Sequence, residues 1–163
     1  MRMFARFTTF ESGLTRLFAL LQPPLLLGIR LWVSWQFLAS GWLKLTTWNT
    51  TLELFRSEYR VPLLTPALAA VAGTFGELVF PALLVAGLCT RIGALGLFAV
   101  NAVALISYWH VLGAEGYDAA RAQHYLWGFM LLVLIGFGAG RWSIDALRET
   151  GTGPVLTRGV GAR

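Results

Sequence analysis

Charged side chains are scarce in this sequence. Asp, Glu, Lys and Arg make up 13% of its 163 residues, whereas soluble domains carry roughly 25%. Hydrophobic residues make up 56%. So few charges cannot coat a water-soluble domain of this size, which excludes a soluble enzyme and a disordered chain. The composition instead predicts an all-α protein that crosses a membrane several times, with the lipid bilayer as its main partner.

Cysteine is almost absent, since Cys89 is the only one. An intramolecular disulfide is therefore excluded, and so are a CxxC pair and a zinc site built on several thiolates. The lack of a second thiol also argues against a membrane reductase that works by thiol relay. The sequence predicts no metal site.

Long apolar runs are what the sequence has instead. Each of four runs is long enough to cross about 30 Å of hydrocarbon as a helix. Backbone groups in lipid must pair with one another, which favours helices over irregular chain. We therefore predict a four-helix membrane domain over residues 23–147. Its spans are expected at about residues 25–45, 66–88, 92–112 and 124–139.

Three further segments flank or connect these spans. Residues 1–22 are basic and amphipathic, which predicts a helix on the membrane surface that ends at the prolines in positions 23–24. The Thr-Thr-Leu-Glu sequence that begins at Thr50 resembles a capping box and predicts a short helix in the first outer loop. Residues 148–163 are expected to form a flexible cytoplasmic tail.

Basic residues are divided unevenly between the two predicted sides of the membrane. The side with both termini holds Arg2, Arg6, Arg16, Arg91, Arg141, Arg148, Arg158 and Arg163. The other side holds Lys44, Arg56, Arg60 and Arg121. The positive-inside rule then predicts a multi-pass protein of the bacterial inner membrane with both termini in the cytoplasm. Because this distribution accounts for most of the net charge of +5, we expect no nucleic-acid partner.

Three polar residues lie well inside the predicted spans, namely Arg30, Glu77 and Asn101. By helix rise, Arg30 lies roughly 9 Å and the other two roughly 13 Å from the cytoplasmic side. Ionisable groups in hydrocarbon are costly, so we expect an Arg30–Glu77 ion pair with Asn101 beside it. Lys44 shares the helix face of Arg30 and joins this polar core. The core would be either structural or a ligand or proton site, and the sequence leaves both open.

Polar residues also occur at both ends of the predicted bundle. His110 and His124 are expected at the outer mouth, where an interfacial structural role is favoured over proton transfer or metal binding, since two histidines without a nearby carboxylate or thiolate are a weak metal signal. At the inner face, Asp145 follows the fourth span and is expected to pair with Arg91 in the turn between the second and third spans.

Four stretches in this order resemble the DoxX family of small four-helix bacterial membrane proteins. They are LLLGIRLWVSWQFLASGWLKL with Arg30, YRVPLLTP before the second span, GELVFPALLVAGLCTR with Glu77, and GAGRWSID after the fourth span. The resemblance covers about residues 25–147. It implies that members of the family carry polar residues at five positions of this chain, which are Arg30, Lys44, Glu77, Arg91 and Asp145.

The resemblance implies a function linked to redox or oxidative-stress complexes. We therefore expect an accessory or anchoring subunit with a protein partner, and an oligomer stays open. No cofactor is evident, and a quinone is the one candidate. A thiosulfate:quinone oxidoreductase-type enzyme subunit and a small-molecule transporter are the alternatives. Catalytic residues cannot be named from the sequence, and a non-catalytic role is favoured.

Overall fold

The computed structural model describes the backbone of residues 2–151 and the side chains of residues 11, 13–15 and 17–150. This part of the chain is entirely helical and contains no strand. Its helices, in chain order, are α1 Arg2–Thr46, α2 Trp48–Ser57, α3 Pro66–Ala86, α4 Thr90–Ser107, α5 Trp109–Leu112, α6 Asp118–Phe137 and α7 Ile144–Gly151. Most of the predicted flexible tail lies outside the described residues.

Three of the described helices are long and apolar enough to cross a membrane: the Gly13–Thr46 part of α1, and the whole of α3 and α4. They coincide with the first three predicted spans. The third is shorter than expected, because α4 ends at Ser107 and Leu112 belongs to the separate helix α5. The fourth predicted span falls on α6 and stays a prediction.

Helix α1 is continuous over 45 residues, although Pro23 and Pro24 lie inside it. The prediction that these prolines end a helix is therefore wrong. Each proline removes one backbone N–H, but membrane helices tolerate this loss where the surroundings compensate, and Pro23 is buried. Much of the predicted amphipathic stripe on residues 1–22 lies on side chains outside the described part. Of its later members, Leu17 and Leu21 are exposed.

The core combines side chains from four helices. Its fully buried members are Val33 from α1, Leu84 from α3, Ala94 and Leu97 from α4, and Leu131 and Leu134 from α6. Helix α1 packs on α3, α3 on α4, and α4 on α6. We call the end that holds α2 and α5 the outer end, and the end that holds the α3–α4 turn and α7 the inner end.

Helix α2 covers the outer end, where Phe55 packs against Ala69 and Ala70 of α3. The predicted capping box is not formed. The helix begins earlier, at Trp48, and its N-cap residue Thr47 makes no side-chain capping bond. The apolar face of α2 therefore fixes its position, and the Thr50 motif does not begin it.

Candidate functional site

Arg30 binds backbone carbonyls at the inner end. It is 1% exposed. Its guanidinium donates to the carbonyl oxygens of Leu84 at 2.7 Å, Val85 at 2.9 Å, Ala139 at 3.0 Å and Trp142 at 2.8 Å. The last carbonyls of a helix have no partner within the helix and carry partial negative charge, so a cation is stabilising there. Arg30 therefore fastens the end of α3 to the segment between α6 and α7, and the predicted Arg30–Glu77 pair is wrong.

Glu77 pairs instead with Lys44. The Lys44 Nζ lies 2.9 Å from Glu77 Oε1 and 2.7 Å from Glu77 Oε2, and it also donates to Ser40 Oγ at 2.7 Å. The Lys44 and Glu77 side chains are 16% and 9% exposed. Side chains lean toward the N-terminus of their helix. Because α1 runs from the inner to the outer end, Lys44 reaches back to Glu77 while Arg30 reaches the inner carbonyls.

Gly41 lets α1 approach α3 at this pair. A Cβ atom at Gly41 would lie 3.0 Å from Glu77 Cβ and 3.0 Å from Leu78 Cγ. Small residues at helix interfaces permit such close backbone approach in membranes. The contact places Lys44, one helical turn farther out, over the Glu77 carboxylate.

An apolar cavity of about 310 Å³ lies beside this ion pair, between α3, α4 and α2. Its polar side chains are Lys44, Tyr59, Glu77 and Ser107. Ser107 Oγ is buried and has no hydrogen-bond partner within residues 2–151. The remaining walls are apolar: Phe55, Val61, Leu64, Ala69, Ala72, Gly73, Phe80, Gly96, Ala99, Val100, Val103 and Ala104.

A second, more polar cavity of about 280 Å³ meets the same ion pair from the side of α6. Lys44, Tyr59, Glu77 and Ala104 line both cavities. The second cavity is further lined by Gln36, Phe37, Ser40, Tyr108, Leu112, His124 and Trp127. The ion pair thus forms part of the wall that the two cavities share.

Tyr59 sits where both cavities meet, in the segment between α2 and α3. Burial raises the pKa of its phenol, and the negative Glu77 and the neighbouring Tyr108 raise it further. The phenol is therefore neutral near pH 7 and can both donate and accept a hydrogen bond.

Asn101 and the two histidines do not join the ion pair. Asn101 Nδ2 donates to the carbonyl oxygen of His124 at 2.9 Å, and its Oδ1 lies 2.8 Å from His124 Nδ1. Asn101 is therefore a partner of His124, and its expected place beside an Arg30–Glu77 pair is wrong. His110 is exposed, and its ring packs edge-on against Tyr108. Among the described residues, no three His, Cys, Asp or Glu side chains are placed to hold a metal ion.

At the inner end, Asp145 caps the start of α4. Its Oδ1 accepts from the Cys89 N–H at 2.8 Å, and its Oδ2 accepts from the Thr90 N–H at 2.9 Å. Partial burial acts to raise the pKa of Asp145, but these hydrogen bonds outweigh burial and hold the pKa below its usual value. Arg91 donates to the Gly136 carbonyl at 3.4 Å instead. The predicted Arg91–Asp145 pair is therefore wrong.

Comparison with known proteins identifies the family. The DoxX family profile matches residues 25–110. This chain belongs to the DoxX family. The matched part of this DoxX protein includes Lys44, Glu77 and Ser107, but neither His124 nor Asp145.

The chain is also similar to an uncharacterized protein of Haemophilus influenzae (strain ATCC 51907 / DSM 11121 / KW20 / Rd). The two are 35% identical over 130 residues, which cover 75% of this chain and 82% of the relative. No solved structure matches this DoxX protein significantly.

Two residues that line the apolar cavity, Tyr59 and Ser107, could not be identified as site residues from the sequence. Tyr59 continues the helical spacing of the apolar residues on α2. That spacing is the same for a residue that packs in the core and for one that lines a cavity. Ser107 ends α4 and resembles a boundary residue. The usable signal is the order of small residues along α4, since Gly96, Ala99 and Ser107 all face the same space.

Proposed function

We propose that this DoxX protein is an accessory membrane subunit that binds a quinone-class amphiphile at the Lys44–Glu77 pair. The proposal depends on one observation: a buried ion pair forms the wall between an apolar cavity and a polar one. The protein would serve a redox or stress-response system of the bacterial inner membrane through a protein partner.

The dimensions and chemistry of the apolar cavity support a ligand of this class. Sites for small molecules are commonly about 300–1,000 Å³, mostly apolar, with a few polar groups that fix orientation. A quinone ring with an apolar tail fits the apolar walls, while Tyr59, Glu77 and Ser107 offer polar contacts. Four buried hydroxyls have no partner within the described chain, and Ser107 is the one of them that belongs to the lining of this cavity. Buried polar groups normally have a partner, which supports a ligand there.

The cost of the ion pair also favours function. Two charges removed from water gain little net stability compared with apolar residues of the same volume. The inner end is already held by Arg30 and Asp145. Because ionisable residues inside a membrane are binding-site candidates by default, the Lys44–Glu77 pair is a candidate for a ligand site.

We assign the redox chemistry to the partner protein. The single thiol, Cys89, is exposed at the start of α4. Ser107 and the apolar cavity lie at the other end of that helix. This arrangement favours a binding subunit over a thiosulfate:quinone oxidoreductase-type enzyme that would use the thiol.

We place both termini in the cytoplasm, with α6 as the fourth span. Helix α6 follows α5 at the outer end, and Asp145 of α7 contacts Cys89 and Thr90 at the inner end. A helix of 20 residues extends about 30 Å, so α6 covers the same distance as the other spans. The uneven distribution of basic residues supports this orientation.

The binding test uses the purified chain in lipid nanodiscs. A short-tailed benzoquinone and its reduced form are titrated separately, and saturable binding of at least one is expected. Glu77→Gln and Lys44→Met should each weaken the affinity about tenfold or more. Glu53→Gln is the matched control, because Glu53 belongs to an exposed pair with Arg56 on α2.

Two results would contradict the proposal. The first is that neither form of the ring binds the wild-type chain. The second is that both bind but neither substitution at the ion pair alters the affinity. Substrate flux in proteoliposomes that Glu77→Gln abolishes would instead favour a transporter.

A further inference from the structure

The Lys44 ammonium has no free donor for a ligand. A lysine ammonium carries three N–H donors and no acceptor. In this structure three oxygens lie within hydrogen-bond distance of Nζ: Ser40 Oγ, Glu77 Oε1 and Glu77 Oε2. A ligand that approaches the pair therefore gains no hydrogen bond from Lys44 unless the ion pair breaks.

The Glu77 carboxylate, in contrast, keeps spare capacity as an acceptor. An ionised carboxylate has about four lone-pair sites on its two oxygens. Lys44 uses one site on each oxygen, at 2.9 Å and 2.7 Å. Glu77 also lines the apolar cavity. The group that the ion pair presents to a ligand is thus an acceptor with negative charge.

The other polar groups of the cavity do not distinguish a ligand that donates a hydrogen bond from one that only accepts. The hydroxyls of Tyr59 and Ser107 can each donate or accept. Ser107 Oγ has no partner within the described chain, and its residue is 1% exposed, so a ligand reaches this hydroxyl only after a small shift of the cavity wall. The hydroxyl can then bind either a carbonyl or a hydroxyl. Selection between donor and acceptor ligands therefore falls to Glu77.

We infer that the cavity selects a hydroxyl-bearing amphiphile, the hydroquinone form of a quinone-class ligand, over the oxidised quinone. This inference depends on the proposed function. A ligand hydroxyl can donate a charge-assisted hydrogen bond to Glu77, which is stronger than a bond between neutral groups. A quinone carbonyl can only accept a hydrogen bond, so it cannot donate one to Glu77. The free lone pairs of the buried Glu77 carboxylate then stay without a partner.

The experiment compares three ligands with one alkyl tail: a hydroquinone, its dimethyl ether and the matching quinone. Binding to the wild-type chain in nanodiscs is measured without oxygen, so that the hydroquinone stays reduced. We expect the hydroquinone to bind about tenfold or more tightly than either of the other two, which cannot donate a hydrogen bond.

Two variants separate selection from binding. Glu77→Gln should abolish or reverse the preference, because glutamine presents an N–H donor and frees one donor of Lys44. Ser107→Ala should weaken all three ligands by a similar few-fold factor and keep the preference. Since Ser107 Oγ has no partner to lose in the described chain, this second variant is expected to fold normally.

The outcomes are distinct. Equal affinity for the three ligands, or a preference for the quinone, would overturn the selection and leave the proposed binding function standing. A preference that survives Glu77→Gln would also overturn it. Failure of all three ligands to bind would refute the proposed function and this inference together.

Discussion

Arg30 and Lys44 occupy the same face of α1, yet they act at opposite ends of the protein. Arg30 binds carbonyl oxygens at the end of α3 and in the segment between α6 and α7, including those of Leu84 and Ala139. Lys44 neutralises Glu77 beside the two cavities. The first cation stabilises the bundle, whereas the second holds the Glu77 carboxylate at the proposed ligand site. The two roles predict different responses to substitution.

Arg30→Gln should lower the free energy of unfolding by about 3–5 kcal/mol, because it leaves several buried carbonyls without a donor. Adding Glu77→Gln should give a loss that is additive within about 0.5 kcal/mol, since the two residues share no partner. Lys44→Met combined with Glu77→Gln should lose less than the sum, by about 0.5–3 kcal/mol. Denaturant unfolding in detergent measures both double-mutant cycles. Strong coupling between Arg30 and Glu77 would contradict this assignment.

Gly87 is a second residue on which the inner end depends. It has a φ of +66°, and a Cβ atom there would lie 2.5 Å from Arg30 Nη2 and 2.6 Å from Ser143 Cβ. Gly87→Ala should therefore combine backbone strain with a clash. Gly116→Ala is the matched control, because Gly116 has a φ of +90° and no atom within 4 Å of such a Cβ.

The strain shared by both variants costs about 1–2 kcal/mol. We expect Gly87→Ala to lower the melting temperature clearly more than Gly116→Ala does. Equal shifts in thermal unfolding would mean that the Arg30 guanidinium moves aside at no cost.

At the scale of elements, the start of α4 depends on a residue of α7. Asp145 accepts hydrogen bonds from the N–H groups of Cys89 and Thr90. Its own N–H donates to the Gly87 carbonyl at 2.9 Å. A carboxylate at a helix N-terminus also interacts favourably with the helix dipole. Helix α7 is thereby fastened to the α3–α4 turn, and this contact should depend on pH.

The pKa of Asp145 is lower in the folded chain than its usual value of about 3.9. Its contribution to stability is therefore complete above that value and is lost as the pH falls through the folded-state pKa. We expect the stability difference between the wild-type chain and Asp145→Asn to be constant near neutral pH and to shrink below about pH 4. Thermal unfolding of both proteins from pH 7 to pH 3 measures this difference. A difference that grows toward acid would contradict the cap.

At the scale of the whole molecule, the contacts of α7 show which end of the bundle α6 reaches. Cys89 and α7 share the inner end, and α5 lies at the outer end. Helix α6 must therefore run the full length of the bundle. If the inner end faces the cytoplasm, the native cysteine reports orientation without any added reporter.

Cys89 is exposed, so a membrane-impermeant maleimide should label it in inverted vesicles and not in intact cells. Cys89→Ser should abolish the labelling and leave folding unchanged. In that background, Ala114→Cys in the exposed segment between α5 and α6 should be labelled from the outside. Labelling of Cys89 in intact cells would overturn the orientation.

Much of the architecture could be predicted from the sequence alone. The helical class, the first three apolar spans and the DoxX family were correct, and a short helix does follow the first span as expected. These features depend on the length of apolar runs and on the need to pair backbone groups in lipid, which are local properties. The continuity of α1 through Pro23 and Pro24 was missed, because the tolerance of a proline depends on what surrounds it.

The choice of polar partners was decided only by the tertiary structure. Depth along a helix placed Arg30 near Glu77, but depth omits the lean of side chains toward the helix N-terminus and the rotation of each helix. Asn101 contacts His124 for the same reason. Asp145 lies close to Arg91 in the fold but accepts from the free N–H groups at the start of α4, which proximity alone did not predict. Residues adjacent in sequence point in directions about 100° apart on a helix, so a small rotation exchanges one partner for another. The sequence therefore determined which polar residues lie in the bundle, and helix packing determined which of them touch.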